Sequence, residues 1–108
     1  MALSEALKVT ASLTSLSLGQ NELGDEGATV IAQALKESSV SKLASLDLNG
    51  FGSDKKIGPA GAKALAEYLW VTASMTRLDV RYNSGMGEEG EAALREAIEG
   101  RSGFELLL

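Results

Sequence analysis

Two aspartates occupy the same place in a repeated pattern. Asp47 and Asp79 each follow a leucine and precede an aliphatic residue, 32 positions apart. In neighbouring parallel strands their carboxylates would lie about 5 Å apart, which is close to the separation used by retaining glycosidases. An open sheet, however, offers no walled pocket to exclude water or raise one pKa, and Arg77 or Arg81 can neutralise the pair. A glycoside hydrolase using Asp47 and Asp79 is therefore only a remote alternative, and we expect no catalytic residues.

Other chemistry is poorly supported. The chain has no histidine and no cysteine, which are the usual ligands of zinc and copper. The segment from Gly85 to Gly90 matches the glycine pattern of dinucleotide sites, but Gly87 and Gly90 recur at the equivalent positions Gly24 and Gly27. The two glutamates after Gly87 would also repel a pyrophosphate. We expect no metal and no cofactor.

The aspartates belong to a phrase, Leu-x-x-Leu-x-Leu, that recurs along the chain. Its starts at Leu13, Leu43, Met75 and Phe104 are 30, 32 and 29 residues apart. When the extra residues in the loops are subtracted, every repeat has the same length of 28 residues. Such spacing is typical of duplicated structural units. We predict a single domain, 1–108, with a partial repeat 1–12, repeats 13–42, 43–74 and 75–103, and the start of a further repeat at 104–108.

The second half of each unit begins at a glycine, namely Gly24, Gly58 or Gly87. Apolar residues four apart follow each glycine, which predicts one buried face of a helix. Acidic residues or Pro59 stand in the first turns, where the helix dipole or the fixed proline φ suits them. The alanines on these helices are small enough for neighbouring helices to approach closely.

The phrase and the glycine-started helix together resemble leucine-rich repeats of the ribonuclease-inhibitor type, over nearly the whole chain. The resemblance implies an α/β solenoid, a short horseshoe arc with parallel strands on the concave face and helices on the convex face. Asn21 and Asn83 match the family asparagine that bonds backbone groups in the turn after the strand. Phe51 departs from that pattern within an insertion, Asn49 to Ile57, for which we expect a projecting, mobile loop.

Alternation along the strands separates the core from an open face. Leucines two apart point inward, and the intervening polar residues point the other way. For most members, the resemblance implies protein binding on this open face, so we predict a noncatalytic protein–protein interaction module. The candidate contact residues are Ser15, Ser17, Ser45, Asp47, Arg77, Asp79, Arg81 and Tyr82.

The last residues suggest an alternative, a self-assembling structural unit. Phe104 to Leu108 reads as an apolar strand at an open sheet edge, where proteins usually place charge or a cover. Aligned from Phe104, Leu106 and Leu108 fall at positions that are polar in earlier repeats. Phe104, Leu106 and Leu108 are therefore the candidates for self-association as a homodimer through edge strands.

Tyr68 and Trp70 form a second candidate contact patch. Trp70 replaces charged residues of the other repeats, and Tyr68 replaces alanines. Aromatic residues are enriched in interface hot spots. The alternative, which we favour slightly, is that both rings fold over the neighbouring helix.

Composition limits the partners. A formal charge of −5 and a pI near 4.7 oppose nucleic-acid binding and favour a basic or neutral protein partner of unknown identity. The start, MALSEALK, lacks a signal-peptide pattern, and no apolar run reaches membrane-spanning length. We expect a soluble protein with no membrane contact, and the absence of cysteine favours a cytoplasmic location.

Overall fold

The computed structural model describes residues 14–18, 24–37, 42–50, 56–72 and 74–108 of the chain. Within these ranges, strands and helices alternate. The strands are β1 (Ser15–Ser17), β2 (Ser45–Asp47), β3 (Arg77–Asp79) and β4 (Glu105–Leu107). The helices are α1 (Gly24–Glu37), α2 (Pro59–Val71) and α3 (Gly87–Ala97), and a short 3-10 turn (Ser84–Met86) precedes α3.

The strands form one parallel sheet in chain order, β1 to β4. Each of β1, β2 and β3 is followed by a helix that runs back toward the start of the next strand, and the helices pack side by side, α1 on α2 and α2 on α3. The predicted α/β leucine-rich-repeat solenoid is confirmed, with a layer of strands and a layer of helices around one core.

The core follows the predicted leucine pattern. Leu16, Leu46 and Leu78 pair in register, and Leu46 and Leu78 are fully buried. Leu43 and Met75 enter at the corner before each strand and are also buried. Burying such a side chain stabilises the fold by roughly 2 kcal/mol. The helices contribute fully buried residues at equivalent positions, namely Ile31, Leu65 and Leu94.

Neighbouring helices approach closely at alanines, as predicted, and glycines face those alanines. A Cβ placed on Gly61 would lie 3.2 Å from the Ala28 Cβ, and one placed on Gly90 would lie 3.1 Å from the Ala62 Cβ. A larger side chain at either glycine would push the helices apart. Gly61 and Gly90 are therefore explained by helix packing.

Asp25 has a role that the sequence pattern did not predict. It lies in the first turn of α1, but its Oδ1 accepts hydrogen bonds from the backbone N–H groups of Gly58 (2.6 Å) and Gly61 (2.7 Å) at the start of α2. Gly58, the N-cap residue of α2, has no side chain to satisfy those groups itself. One repeat therefore caps the helix of the next.

The register of β4 differs from the prediction. Leu106 pairs with Leu78, and Leu107 pairs with Asp79, so the predicted alignment of Phe104 with Met75 is wrong by one residue. Leu106 and Leu108 pack against the core rather than occupying polar positions, and Phe104 also packs there. Leu107 is the residue of β4 that shares a row with Asp79.

Among the described helices, α1 to α3, none has the length and apolar character needed to cross a bilayer.

Candidate protein-binding face

The sheet face opposite the helices carries two rows of side chains, here called the concave face. Because paired residues in a parallel sheet point the same way, each row crosses all four strands. The first row is Ser15, Ser45, Arg77 and Glu105, and the second row is Ser17, Asp47, Asp79 and Leu107. Arg81 and Tyr82 lie just beyond β3 and are exposed.

The structure thus brings the predicted contact residues together. Glu105 and Leu107 join the rows, although the sequence alignment, with β4 displaced by one residue, did not predict them. Arg77 Nε donates to the Glu105 carboxylate across the strands at 2.8 Å. This link is exposed, and such pairs contribute little to stability.

The sequence predicts Asp79 as a contact residue on the open face, but this prediction is wrong for direct contact. Only 1% of the Asp79 surface is exposed. Arg81 covers it with a two-pronged interaction, Nε to Oδ1 at 3.1 Å and Nη2 to Oδ2 at 2.9 Å. Arg77 Nη2 lies 3.9 Å from Oδ2 on another side. Burial alone raises the pKa of Asp79, but the hydrogen bonds and charge of Arg81, together with Arg77, outweigh it and lower the pKa overall.

Both aspartates hold the turn that leaves their strand. Oδ1 of Asp47 accepts from the backbone N–H of Asn49 at 3.0 Å, and Oδ1 of Asp79 accepts from the N–H of Arg81 at the same distance. Asn49 Nδ2 adds a bond to Asp47 at 2.8 Å. Aspartate commonly bonds the backbone two residues ahead in turns, so the sequence held this signal.

This geometry does not favour the remote hydrolase alternative. A general acid in a glycosidase needs a raised pKa, so that it is protonated at neutral pH. The arginines lower the pKa of Asp79 instead, and its carboxylate oxygens already accept bonds from Arg81. The shared position of Asp47 and Asp79 is explained by their turns.

Asn83 closes the turn after β3, as the family resemblance implied, and it is buried. Its Nδ2 donates to the carbonyl of Val80 at 2.9 Å and to that of Arg81 at 3.2 Å. It also reaches the middle repeat, donating to Leu48 O at 3.1 Å and accepting from Ile57 N–H at 2.8 Å. Asn83 therefore bonds the middle repeat at Leu48 and Ile57.

Several predictions on these turns fall outside the described residues. Asn21 and Phe51 lie there, as does most of the insertion predicted to project as a mobile loop. The described part of that insertion is tied down. Gly50 N–H donates to Arg81 O at 2.8 Å, and Lys56 Nζ donates to Gly50 O at 2.6 Å.

Neither interpretation of Tyr68 and Trp70 holds for both residues, since a contact patch needs both rings exposed and folding over the neighbouring helix, the favoured alternative, needs both covered. Tyr68 is buried, whereas 65% of Trp70 is exposed. The equivalents of Tyr68, Ala34 and Ala97, are buried as well, because the position faces the core. An alanine at that position indicated burial, and the two aromatics do not form one surface.

Comparison with known proteins agrees with this architecture. A family profile described as Leucine Rich repeat matches residues 11–32. Ribonuclease inhibitor from Sus scrofa is 34% identical over 92 residues, which is 85% of this chain but 19% of that protein. The chain thus spans about a fifth of the length of that curated relative.

Solved structures show the same fold. The leiomodin-1 actin-binding site 2 superposes with a TM-score of 0.78 at 21% identity, covering 96% of this chain and 58% of that one. The tropomodulin C-terminal domain from Caenorhabditis elegans gives a TM-score of 0.57 at 14% identity, covering 99% of this chain and 80% of that one.

The repeated phrase, the parallel sheet with its layer of helices and the profile match together define a leucine-rich repeat protein. The ribonuclease inhibitor similarity narrows the class, and the chain belongs to the ribonuclease-inhibitor-like leucine-rich repeat proteins.

Proposed function

We propose that this chain is a noncatalytic protein-binding module whose partner contacts the concave face. The observation that carries the proposal is the pair of rows, which present mainly polar side chains from four strands on the side away from the helices. Serines at one end and charged residues at the other give a surface that a partner can cover without unfolding the core. The formal charge of −5 favours a neutral or basic partner.

Two similarities support a protein as the partner. One is to a protein named ribonuclease inhibitor, and the other is to a domain named as an actin-binding site of leiomodin-1. The proposal therefore specifies the partner as a protein. A cytoplasmic location, predicted from the absence of cysteine, is part of the same proposal.

The most direct contacts are those with exposed side chains. Ser15 and Ser17 in β1 are exposed, Ser45 and Asp47 in β2 are partly exposed, and Arg77 carries the face into β3. Beyond the strand, Arg81 and Tyr82 extend the same surface. Asp79 acts beneath them as the residue that positions Arg81.

The test replaces two small serines with large, charged arginines. Ser17→Arg with Ser45→Arg should fill the face without touching the core, because neither side chain is buried. In affinity capture from a lysate of the source cells, a protein retained by the wild type should be lost.

Gln33→Arg is the control, since it places an arginine on an exposed position of α1, away from the concave face. It should retain the captured protein. If the double variant captures the same protein as strongly as the wild type, the concave face is not the binding surface.

A second candidate function is self-association through β4. This strand lies at the edge of the sheet, and Phe104, Leu106 and Leu108 pack against the core while remaining partly exposed. Unpaired strand edges readily add another strand. A second copy of the chain would then extend the sheet.

Light scattering tests the self-association. The wild type should double its mass as concentration rises, and Leu107→Lys should stay monomeric, because a lysine opposes edge pairing and Leu107 lies in the row beside Asp79 rather than in the core. Ser45→Lys in an inner strand should still associate. A wild type that is monomeric at every concentration contradicts this function.

A further inference from the structure

The turn after β2 contains the sequence Asn49-Gly50. Of the three asparagines in the chain, Asn49 alone precedes a glycine. In such a pair the backbone nitrogen of the glycine can attack the side-chain Cγ of the asparagine, because the glycine has no Cβ to obstruct the approach. Asparagine is accordingly one of the thermolabile residues of proteins. This pair therefore carries a reaction that needs no enzyme.

The reaction converts a neutral side-chain amide into a carboxylate. The Gly50 N–H loses its proton to solvent base, its nitrogen forms a bond to Asn49 Cγ, and the Cγ–Nδ2 bond breaks with release of ammonia. Solvent water then opens the five-membered succinimide ring at one of its two carbonyls. The product is an aspartate in the ordinary backbone or an isoaspartate, in which the backbone runs through the side chain.

Gly50 is fixed at this position by close packing. The residue is buried, and a Cβ placed on it would overlap Tyr82 O and lie 2.7 Å from Asn83 Oδ1. Since Tyr82 O belongs to the backbone, it cannot move aside as the end of a flexible side chain can. The reactive pair is therefore a consequence of how closely the turns after β2 and β3 approach each other.

The same turns restrain both reacting groups. The Gly50 N–H donates to Arg81 O at 2.8 Å, so the proton that must leave is held in a hydrogen bond, and Lys56 Nζ donates to Gly50 O at 2.6 Å. Asn49 Nδ2 donates to Asp47 Oδ1 at 2.8 Å, and that oxygen also accepts from the Asn49 N–H. The side-chain amide is thus held beside the N–H of its own residue, and the attacking nitrogen is held by the next repeat.

We propose that Asn49-Gly50 is a deamidation site that is unreactive while the turns after β2 and β3 are bonded and reactive when they separate. The hydrogen bond from Gly50 to Arg81 controls the reaction. Asn83 supports that bond, because its Nδ2 donates to Arg81 O and its Oδ1 lies against Gly50.

The product changes the turn in one direction. An aspartate at position 49 has no Nδ2 to donate, so two carboxylates face each other where Asn49 now bonds to Asp47. Like charges at this distance repel. Hydrolysis is not reversed in water, so a single opening event leaves a weaker turn and an added negative charge beside β2.

Peptide mapping by mass spectrometry measures the reaction. The tryptic peptide 43–55 contains Asn49 as its only asparagine, so its mass gain and isoaspartate content report this site alone. The chain is incubated in mildly alkaline buffer, folded or unfolded in guanidinium chloride. The folded chain should react about 100-fold more slowly, because the reaction must wait for local opening. Equal rates in the two states, or no reaction in the unfolded chain, overturns the proposal.

A pair of variants distinguishes opening of the turn from unfolding of the whole chain. Asn83→Ala removes the support of the Gly50–Arg81 bond, whereas Leu94→Ala removes a buried side chain from α3 and destabilises the fold away from the turn. At conditions giving equal unfolded fractions, Asn83→Ala should deamidate at position 49 about ten-fold faster than Leu94→Ala. Equal rates would show that the reaction follows global unfolding, and the controlling role of the turn would be rejected.

The effect of the product is tested with Asn49→Asp. Asn49→Ala is its control, because it removes the bond to Asp47 without adding a charge. At neutral pH, Asn49→Asp should melt about 2–4 °C below Asn49→Ala, since repulsion between two carboxylates is added to the lost bond. Equal melting temperatures would contradict the predicted weakening of the turn.

Discussion

The turns that leave β2 and β3 begin alike and end differently. In each, an aspartate carboxylate accepts from the backbone N–H two residues ahead, at 3.0 Å. Beyond that point the turn after β2 reaches Gly50, whereas the turn after β3 displays Tyr82 and buries Asn83. The first half of each turn is local, and the second half depends on the neighbouring repeat.

The difference identifies which polar residue the fold needs most. Asn83 bonds to Val80 and Arg81 in its own turn and to Leu48 and Ile57 in the preceding repeat. Asp47 and Asp79, in contrast, act mainly on their own strand exits. Asn83 should therefore be the residue whose loss destabilises both turns.

The largest expected effect is that of Asn83→Ala. It leaves the buried N–H of Ile57 and the carbonyls of Leu48 and Val80 without the bonds that Asn83 makes, so the free energy of unfolding should fall by about 3 kcal/mol. Urea denaturation measures this change. Asn49→Ala, which removes the same side chain from the partly exposed turn after β2, should cost only about 0.5 kcal/mol. Equal losses in the two variants would show that Asn83 does not join the repeats.

A smaller effect should distinguish the two aspartates. Asp79→Asn keeps an oxygen for the Arg81 N–H but removes the charge that Arg81 and Arg77 surround. Because those arginines are partly exposed, we expect a loss of about 1–2 kcal/mol at pH 7. Asp47→Asn, whose carboxylate bonds to Asn49, should lose about 0.5 kcal/mol or less.

The stability difference between the wild type and Asp79→Asn should depend on pH in a defined direction. The folded-state pKa of Asp79 is lowered, so its charge stabilises the fold above the unfolded-state value of about 3.9. That contribution is lost as pH falls through the folded-state pKa. The difference in stability between the wild type and Asp79→Asn should therefore be full at pH 7 and shrink below about pH 4. A difference that grows on acidification would contradict the assigned shift.

Much of the fold could be predicted from the spacing of apolar residues. Aliphatic residues two apart in three repeats fix which side of each strand is buried, and the strands β1 to β3 and the three described helices lie where the repeats predict them. The glycine three residues after each helix-start glycine is equally informative, because Gly61 and Gly90 have the same packing role in successive repeats. These features depend on residues near one another in sequence.

The register of β4 could not be predicted in the same way. Leu106, Leu107 and Leu108 are consecutive, so either register places leucine toward the core. The choice depends on the turn before the strand, where Gly100 (φ 83°) and Gly103 (φ 80°) both adopt left-handed geometry. A pattern of apolar residues does not predict backbone angles of this kind.

The candidate site was predicted in position but not in accessibility. Alternation placed Asp79 on the concave face correctly, yet the long side chains of Arg81 and Arg77 cover it. Arg81 lies only two residues from Asp79, but alternation along the strand does not determine whether its side chain folds back over the carboxylate. For that reason the sequence predicts Asp79 as a contact residue, whereas in the structure Asp79 positions a contact residue, Arg81.

The bonds that cross from repeat to repeat also limit how freely the units can be rearranged. Asp25 completes the start of the following helix, and Asn83 completes the turn of the preceding repeat. If the middle repeat is duplicated, deleted or transplanted, the repeat before it must therefore supply a carboxylate equivalent to Asp25, and the repeat after it must supply an amide equivalent to Asn83. Modularity here belongs to overlapping pairs of repeats, and a single unit is not an interchangeable part.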